Sequence, residues 1–110
     1  MTNIERDYHV LIDPAANDRM ANHMEFLARV SEDAANQLLN EMIECIQSLK
    51  KMPYRNPFYN RPYLIVDKYR SLLFGNGRYR IVYQISGDYV FVDDIQDCRQ
   101  SDDKSILYKV

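Results

Sequence analysis

The spacing of apolar residues changes period along the chain, and each change marks an element. Tyr8-His-Val-Leu-Ile12 predicts a short strand with Val10 and Ile12 on one side. Asp13-Pro14 stops it and starts a helix, because Asp suits the N-cap and Pro the first helical position. Ala16, Met20, His23, Met24, Leu27 and Val30 then recur at three- and four-residue spacing, one buried stripe. Ser31 caps a second helix, with Glu32 and Asp33 in its first turn and Lys50 and Lys51 near its last carbonyls. Its stripe is Ala35, Leu38, Leu39, Met42, Ile43, Ile46 and Leu49, and Pro53 ends it. Helices joined by so short a connection must fold back as an antiparallel hairpin.

Met52–Asp67 carries Pro53, Pro57 and Pro62 among Tyr54, Phe58, Tyr59 and Tyr63, which predicts an extended, aromatic-anchored loop. Three strands follow closely. Tyr69–Phe74 leads into the turn Gly75-Asn-Gly77. Arg78–Ile85 alternates Tyr79, Ile81, Tyr83 and Ile85 inward with Arg78, Arg80, Val82 and Gln84 outward. Ser86-Gly-Asp88 turns into Tyr89–Ile95, with Val90 and Val92 on one face. The expected fold is α+β: an N-terminal strand, an antiparallel two-helix hairpin and a three-stranded antiparallel meander (β-α-α-β-β-β). The helices pack on one face of the sheet.

Charge adds a feature that the pattern alone hides. Residues 1–49 carry a formal charge of −6, residues 50–80 of +7 and residues 81–110 of −3, for a total of −2. Lys50, Lys51, Arg55, Arg61, Lys68, Arg70, Arg78 and Arg80 face a single acid, Asp67, within the basic stretch. Such an island favours phosphate, RNA or an acidic peptide as partner, with solvated surface bases as the plain alternative. At 110 residues with 46% hydrophobic content the chain is expected to form one soluble domain. No apolar run is long enough to span a membrane, and Met1–His9 has no signal-peptide core. Cys45 and Cys98 are too few and too far apart for a disulfide framework or a zinc knuckle. A reduced, cytoplasmic protein without metal or cofactor is expected.

Gly77-Arg-Tyr-Arg-Ile-Val-Tyr-Gln-Ile85 followed by Val92-Asp-Asp-Ile-Gln-Asp-Cys-Arg99, within this element order, closely resembles the RelE/ParE toxin superfamily of bacterial type II toxin–antitoxin systems. The likeness runs from Tyr8 to Tyr108 and implies a single toxin domain over residues 1–110. It implies a growth inhibitor of a plasmid-stabilisation module, neutralised by its cognate antitoxin. RelE-like members cut mRNA on the ribosome, whereas ParE-like members poison DNA gyrase without being nucleases. A degenerate member that only binds antitoxin is a third alternative. By the same resemblance Arg80, Arg99 and Tyr108 match catalytic positions of the nucleases. Arg61, Lys68, Arg70 and Arg78, from the basic stretch, are candidates for substrate phosphate, with Arg70 and Arg78 expected to flank Arg80 on neighbouring strands. Arginines on a rigid sheet suit the charge that builds on a phosphate during attack by the RNA 2′-hydroxyl.

The sequence also departs from the nuclease pattern. The strand before Arg80 reads Tyr69-Arg-Ser-Leu-Leu-Phe74 and lacks the lysines that RelE-like enzymes carry there. His9 and His23 lie far from the C-terminus, so no general base is evident. The net acidity and two long helices resemble the ParE branch. If a site for an anion exists, Arg80 and Arg99 are expected to converge on one concave side of the sheet.

Overall fold

The computed structural model describes residues 7–99. Its elements are β1 (His9–Ile12), α1 (Pro14–Ala28), α2 (Glu32–Lys51), a 3-10 turn (Pro53–Arg55), β2 (Arg70–Phe74), β3 (Tyr79–Ser86) and β4 (Tyr89–Asp97). The sheet order is β1-β4-β3-β2. The β2–β3 and β3–β4 pairs are antiparallel, while β1 lies parallel to β4. This is the expected α+β arrangement, with the helical hairpin as the crossover that lets β1 and the meander share one sheet.

Local chemistry sets the helix ends. Asp13 Oδ1 accepts from Ala15 N at 2.8 Å with Pro14 next in line, and Ser31 Oγ accepts from Ala34 N at 3.1 Å. The helices bury Ala16, Met20, Leu38 and Leu49 against Phe74, Tyr79, Ile81, Tyr83, Val90, Val92 and Ile95 of the sheet. Val30, expected in the buried stripe, is 77% exposed. Helix α1 stops at Ala28, and Val30 and Ser31 both donate to Leu27 O in the connecting turn, so position 30 leaves the helical phase. Ile43 lies at the edge of its stripe and is exposed as well.

The far face of the sheet has its own apolar cluster. Loop residue Tyr59 is buried on Val82 of β3, with Leu64 and Tyr69 packed around the pair. Tyr59 N donates to Tyr69 O and Ser71 N to Pro57 O, so the proline-rich loop runs alongside the start of β2 and shields its edge. Asn60 and Asp67 close the loop by exchanging two hydrogen bonds of 3.0 and 2.8 Å. The turn between β2 and β3 is tight: Gly75 has φ +62°, and an added Cβ would lie 2.9 Å from the Tyr79 ring. Only glycine fits there without strain.

One irregularity sets the direction of everything beyond it. The β3–β4 register slips between Val82 and Tyr83, which leaves Asp93 as an extra residue on β4. Val90 and Val92 therefore face the helices, and the next such residue is Ile95, three positions on. Strand β4 also runs two residues past the expected end, to Asp97.

Candidate functional site

Among the described residues, basic side chains line a cleft on each face of the sheet. The first lies on the face away from the helices, between the proline-rich loop and β2–β3, and encloses about 610 Å³. Its floor is the Tyr59 ring. Arg61 Cζ lies 4.2 Å and Arg80 Cζ 5.1 Å from that ring's centroid, so two guanidinium groups share one aromatic surface. Arg80 is half-buried, and its Nε is shielded from solvent with no hydrogen-bond partner. Among the described residues no carboxylate pairs with Arg80. A guanidinium so placed is short of an anion, which suits it to accept one from a partner. Phe58 and Leu73, which line the same cleft, are about half exposed, and the loop tip beyond Leu64 exposes Ile65 and Val66.

The second cleft opens on the helix side, between α1 and the ends of β3 and β4, and encloses about 500 Å³. Arg99 lies here. Its Nε and Nη2 donate to the two Asp97 carboxylate oxygens at 3.2 and 3.0 Å, and its backbone N donates to Asp97 Oδ1 at 3.0 Å. Burial pushes the Asp97 carboxyl up. The hydrogen bonds and charge of Arg99, with Arg78 nearby, outweigh that and hold it below the usual range.

Arg80 and Arg99 therefore do not share a concave side, contrary to the sequence-based expectation. Arg80 stands opposite Gln96 in register, whereas Asp97 stands opposite Tyr79, whose ring faces the helices. Arg99 lies beyond the strand end and its side chain follows Asp97. Arg78 also departs from the expected outward row. It precedes β3, lines the helix-side cleft, and approaches Asp97 Oδ2 at 3.8 Å.

Arg70 does not flank Arg80 either. It stands opposite Tyr83, on the helix side, and Nη1 donates to Tyr54 O at 3.2 Å and to Asn56 O at 2.6 Å. Its guanidinium also lies 4.0 Å from the Phe58 ring centroid, so its donors brace the loop. Lys68 lies over the Tyr69 ring. Tyr108 falls outside the described residues. Of the expected set, the structure brings Arg61 and Arg80 together in one cleft and Arg78 and Arg99 together in the other.

Three residues were not singled out as site-forming from the sequence. Tyr59 is one, because only the fold puts its ring under two arginines. Arg19 and His23 are the others, one turn apart on α1. Both reach the β4 edge left open beyond the end of β1: Arg19 Nε and His23 Nε2 meet Ile95 O at 3.3 and 3.0 Å. The carbonyl acceptor places the neutral ring's proton on Nε2.

Burial lowers the His23 pKa below its ordinary 6.5, helped by the charge of Arg19. The hydrogen bond to Ile95 and the carboxylates of Asp97 and Asp94 act the other way. The folded state thus prefers neutral His23. Its contribution to stability is complete above the ordinary value and lost as pH falls through the lowered one. Thermal melts between about pH 7.5 and 5.5 should show this loss, and His23→Gln, which keeps a donor for Ile95 O, should flatten it. Equal pH slopes in both proteins would contradict the assignment.

Among the described residues no group of three or more His, Cys, Asp or Glu could hold a metal ion, and no helix is long and apolar enough to cross a membrane.

Residues 10–101 match the family model of the ParE toxin of the type II toxin–antitoxin system, parDE, and the chain belongs to that family. Membership implies a partner antitoxin. A solved structure of the E. coli toxin RelE, an arginine-substituted mutant in the free state, matches with a TM-score of 0.52 and 18% identity. It covers 94% of this chain and 92% of that one, a likeness of fold. No curated protein matches the sequence.

Proposed function

We propose that this toxin arrests growth by binding DNA gyrase through the sheet face that carries Arg80, and that it does not cleave RNA. The observation that carries this reading is the separation of Arg80 from Arg99. A scissile phosphate held by one cannot reach the other, so the two arginines that match the nucleases' catalytic positions cannot act on it together. Convergent arginines are what charge stabilisation at a phosphate would require. The Arg80 face instead mixes arginines with exposed Phe58 and Leu73, the composition of a protein-binding surface more than of a nucleic-acid track. Arg61 and Arg80, the bases of the stretch that line this cleft, would steer an acidic partner surface toward it.

Inducing the chain alone in growing cells tests this directly. The expected result is an early DNA-damage response while protein synthesis continues, together with inhibition of purified gyrase supercoiling. An immediate block of translation with mRNA cleavage, and gyrase left unaffected, would establish the ribosome-dependent nuclease reading in its place.

A further inference from the structure

The helix-side cleft has no part in that reading. Its volume of about 500 Å³ is far larger than one side chain needs and falls in the range of small-ligand sites. Among the described residues three arginines line it (Arg19, Arg78 and Arg99) against one carboxylate, Asp97. Arg78 and Arg99 approach the same Asp97 oxygen, at 3.8 and 3.0 Å, so their guanidinium groups are close enough to grip a single anion.

Their states differ in a telling way. Arg99 is orientated by Asp97 and still 60% exposed, so donors remain free on its outer side. Arg78 is only 27% exposed, and its guanidinium makes no hydrogen bond: 3.8 Å is too long for one, and its Nε is shielded without a partner. Its backbone is fixed on both sides, with Arg78 N donating to Gly75 O and Arg78 O accepting from Cys98 N at 2.7 Å. A rigidly mounted, partly desolvated fork with no acceptor is prepared for a ligand oxygen.

The remaining walls are Asn22 and three rings. Phe26 on α1 is 58% exposed at the cleft, while His23 and Tyr79 meet at a tilt of 51° with ring centroids 5.3 Å apart. We propose that this cleft binds a free nucleoside 5′-phosphate, with Arg78 and Arg99 on the phosphate and Phe26 against the base. One phosphate carries the charge that two guanidinium groups match, and a planar base accounts for the aromatic wall. The site is on the opposite face from the surface proposed to meet the toxin's target, so either reading can fail without the other.

Calorimetric titration of the purified chain with AMP tests the site, with adenosine, inorganic phosphate and a 5′-phosphorylated tetranucleotide as comparison ligands. AMP should bind more tightly than adenosine or phosphate. Arg78→Gln should weaken it at least about tenfold, the size expected for losing a charge-assisted hydrogen bond. Phe26→Ala should weaken AMP and leave inorganic phosphate unchanged. Neither variant should shift the melting temperature much, because Phe26 is mostly exposed and Arg78 makes no hydrogen bond through its side chain. No binding of AMP at millimolar concentration, or binding indifferent to Arg78→Gln, would overturn the proposal. A tetranucleotide that binds far more tightly than AMP would replace it with a nucleic-acid end site.

Discussion

Arg80→Ala is expected to abolish growth inhibition on induction while the protein keeps its fold. The Arg80 side chain forms no hydrogen bond or ion pair among the described residues. Its guanidinium lies over the Tyr59 ring, and Tyr59 is itself held by Val82, Leu64 and Tyr69. Stability should therefore change by no more than about 1–2 kcal/mol, the scale of a partly desolvated cation–π contact. Binding is different. A half-desolvated arginine at the centre of an interface is the residue type whose truncation commonly costs about 2 kcal/mol or more, roughly thirtyfold in affinity. Arg80→Lys should fall between the two, since it keeps the charge but loses the planar fork that lies on Tyr59. Growth curves after induction, paired with melting curves of the purified variants, check both halves. A fully toxic, normally folded Arg80→Ala protein would remove the open sheet face from the mechanism.

The sequence makes some of this geometry plain and conceals the rest for definite reasons. Helix starts were readable because Asp13-Pro14 and Ser31 act on their own backbone within a few residues. The alternation of β3 was readable too, so Arg80 could be turned away from the helices before any coordinates. The bulge at Asp93 was not. It depends on Val90, Val92 and Ile95 reaching one core, which a local period of two misassigns by one residue. That one residue decides which way the end of β4 faces. Arg99 was also hidden, because its side chain obeys an ion pair with Asp97 and not the pleat of a strand. Arg70 shows the reverse error: a basic residue beside the expected site whose donors go to loop carbonyls. Nonlocal pairing determined the bulge and the Arg70 contacts, while Arg99 follows a side-chain ion pair only two residues away that strand alternation does not describe.

The bulge leads to the second large effect, a loss of stability on Asp94→Ala. Asp94 is fully buried. Oδ1 accepts from Ile95 N at 2.9 Å and meets Arg19 Nε at 3.1 Å, while Oδ2 accepts from Gln96 Nε2 at 3.0 Å. Gln96 Oε1 in turn accepts from the Tyr59 hydroxyl at 3.3 Å. A polar chain thus runs from Arg19 on α1, through the bulged strand, to the aromatic floor beneath Arg80. Alanine removes the central acceptor and leaves the shielded Arg19 charge and two donors to find other partners. Breaking a buried pair from one side costs about 3–5 kcal/mol. Because Arg19 keeps some exposure, about 2–4 kcal/mol is expected here, a fall of roughly 10–20 °C in melting temperature for a domain of this size. Asp94→Asn, which keeps an acceptor but not the charge, should lose about half as much. Toxicity at a permissive temperature should also fall, because Tyr59 would be held less firmly under Arg61 and Arg80. A melting temperature within about 3 °C of the wild type would show that this network adds little to the fold. In that case the connection from α1 to the Arg80 face would be one of proximity alone.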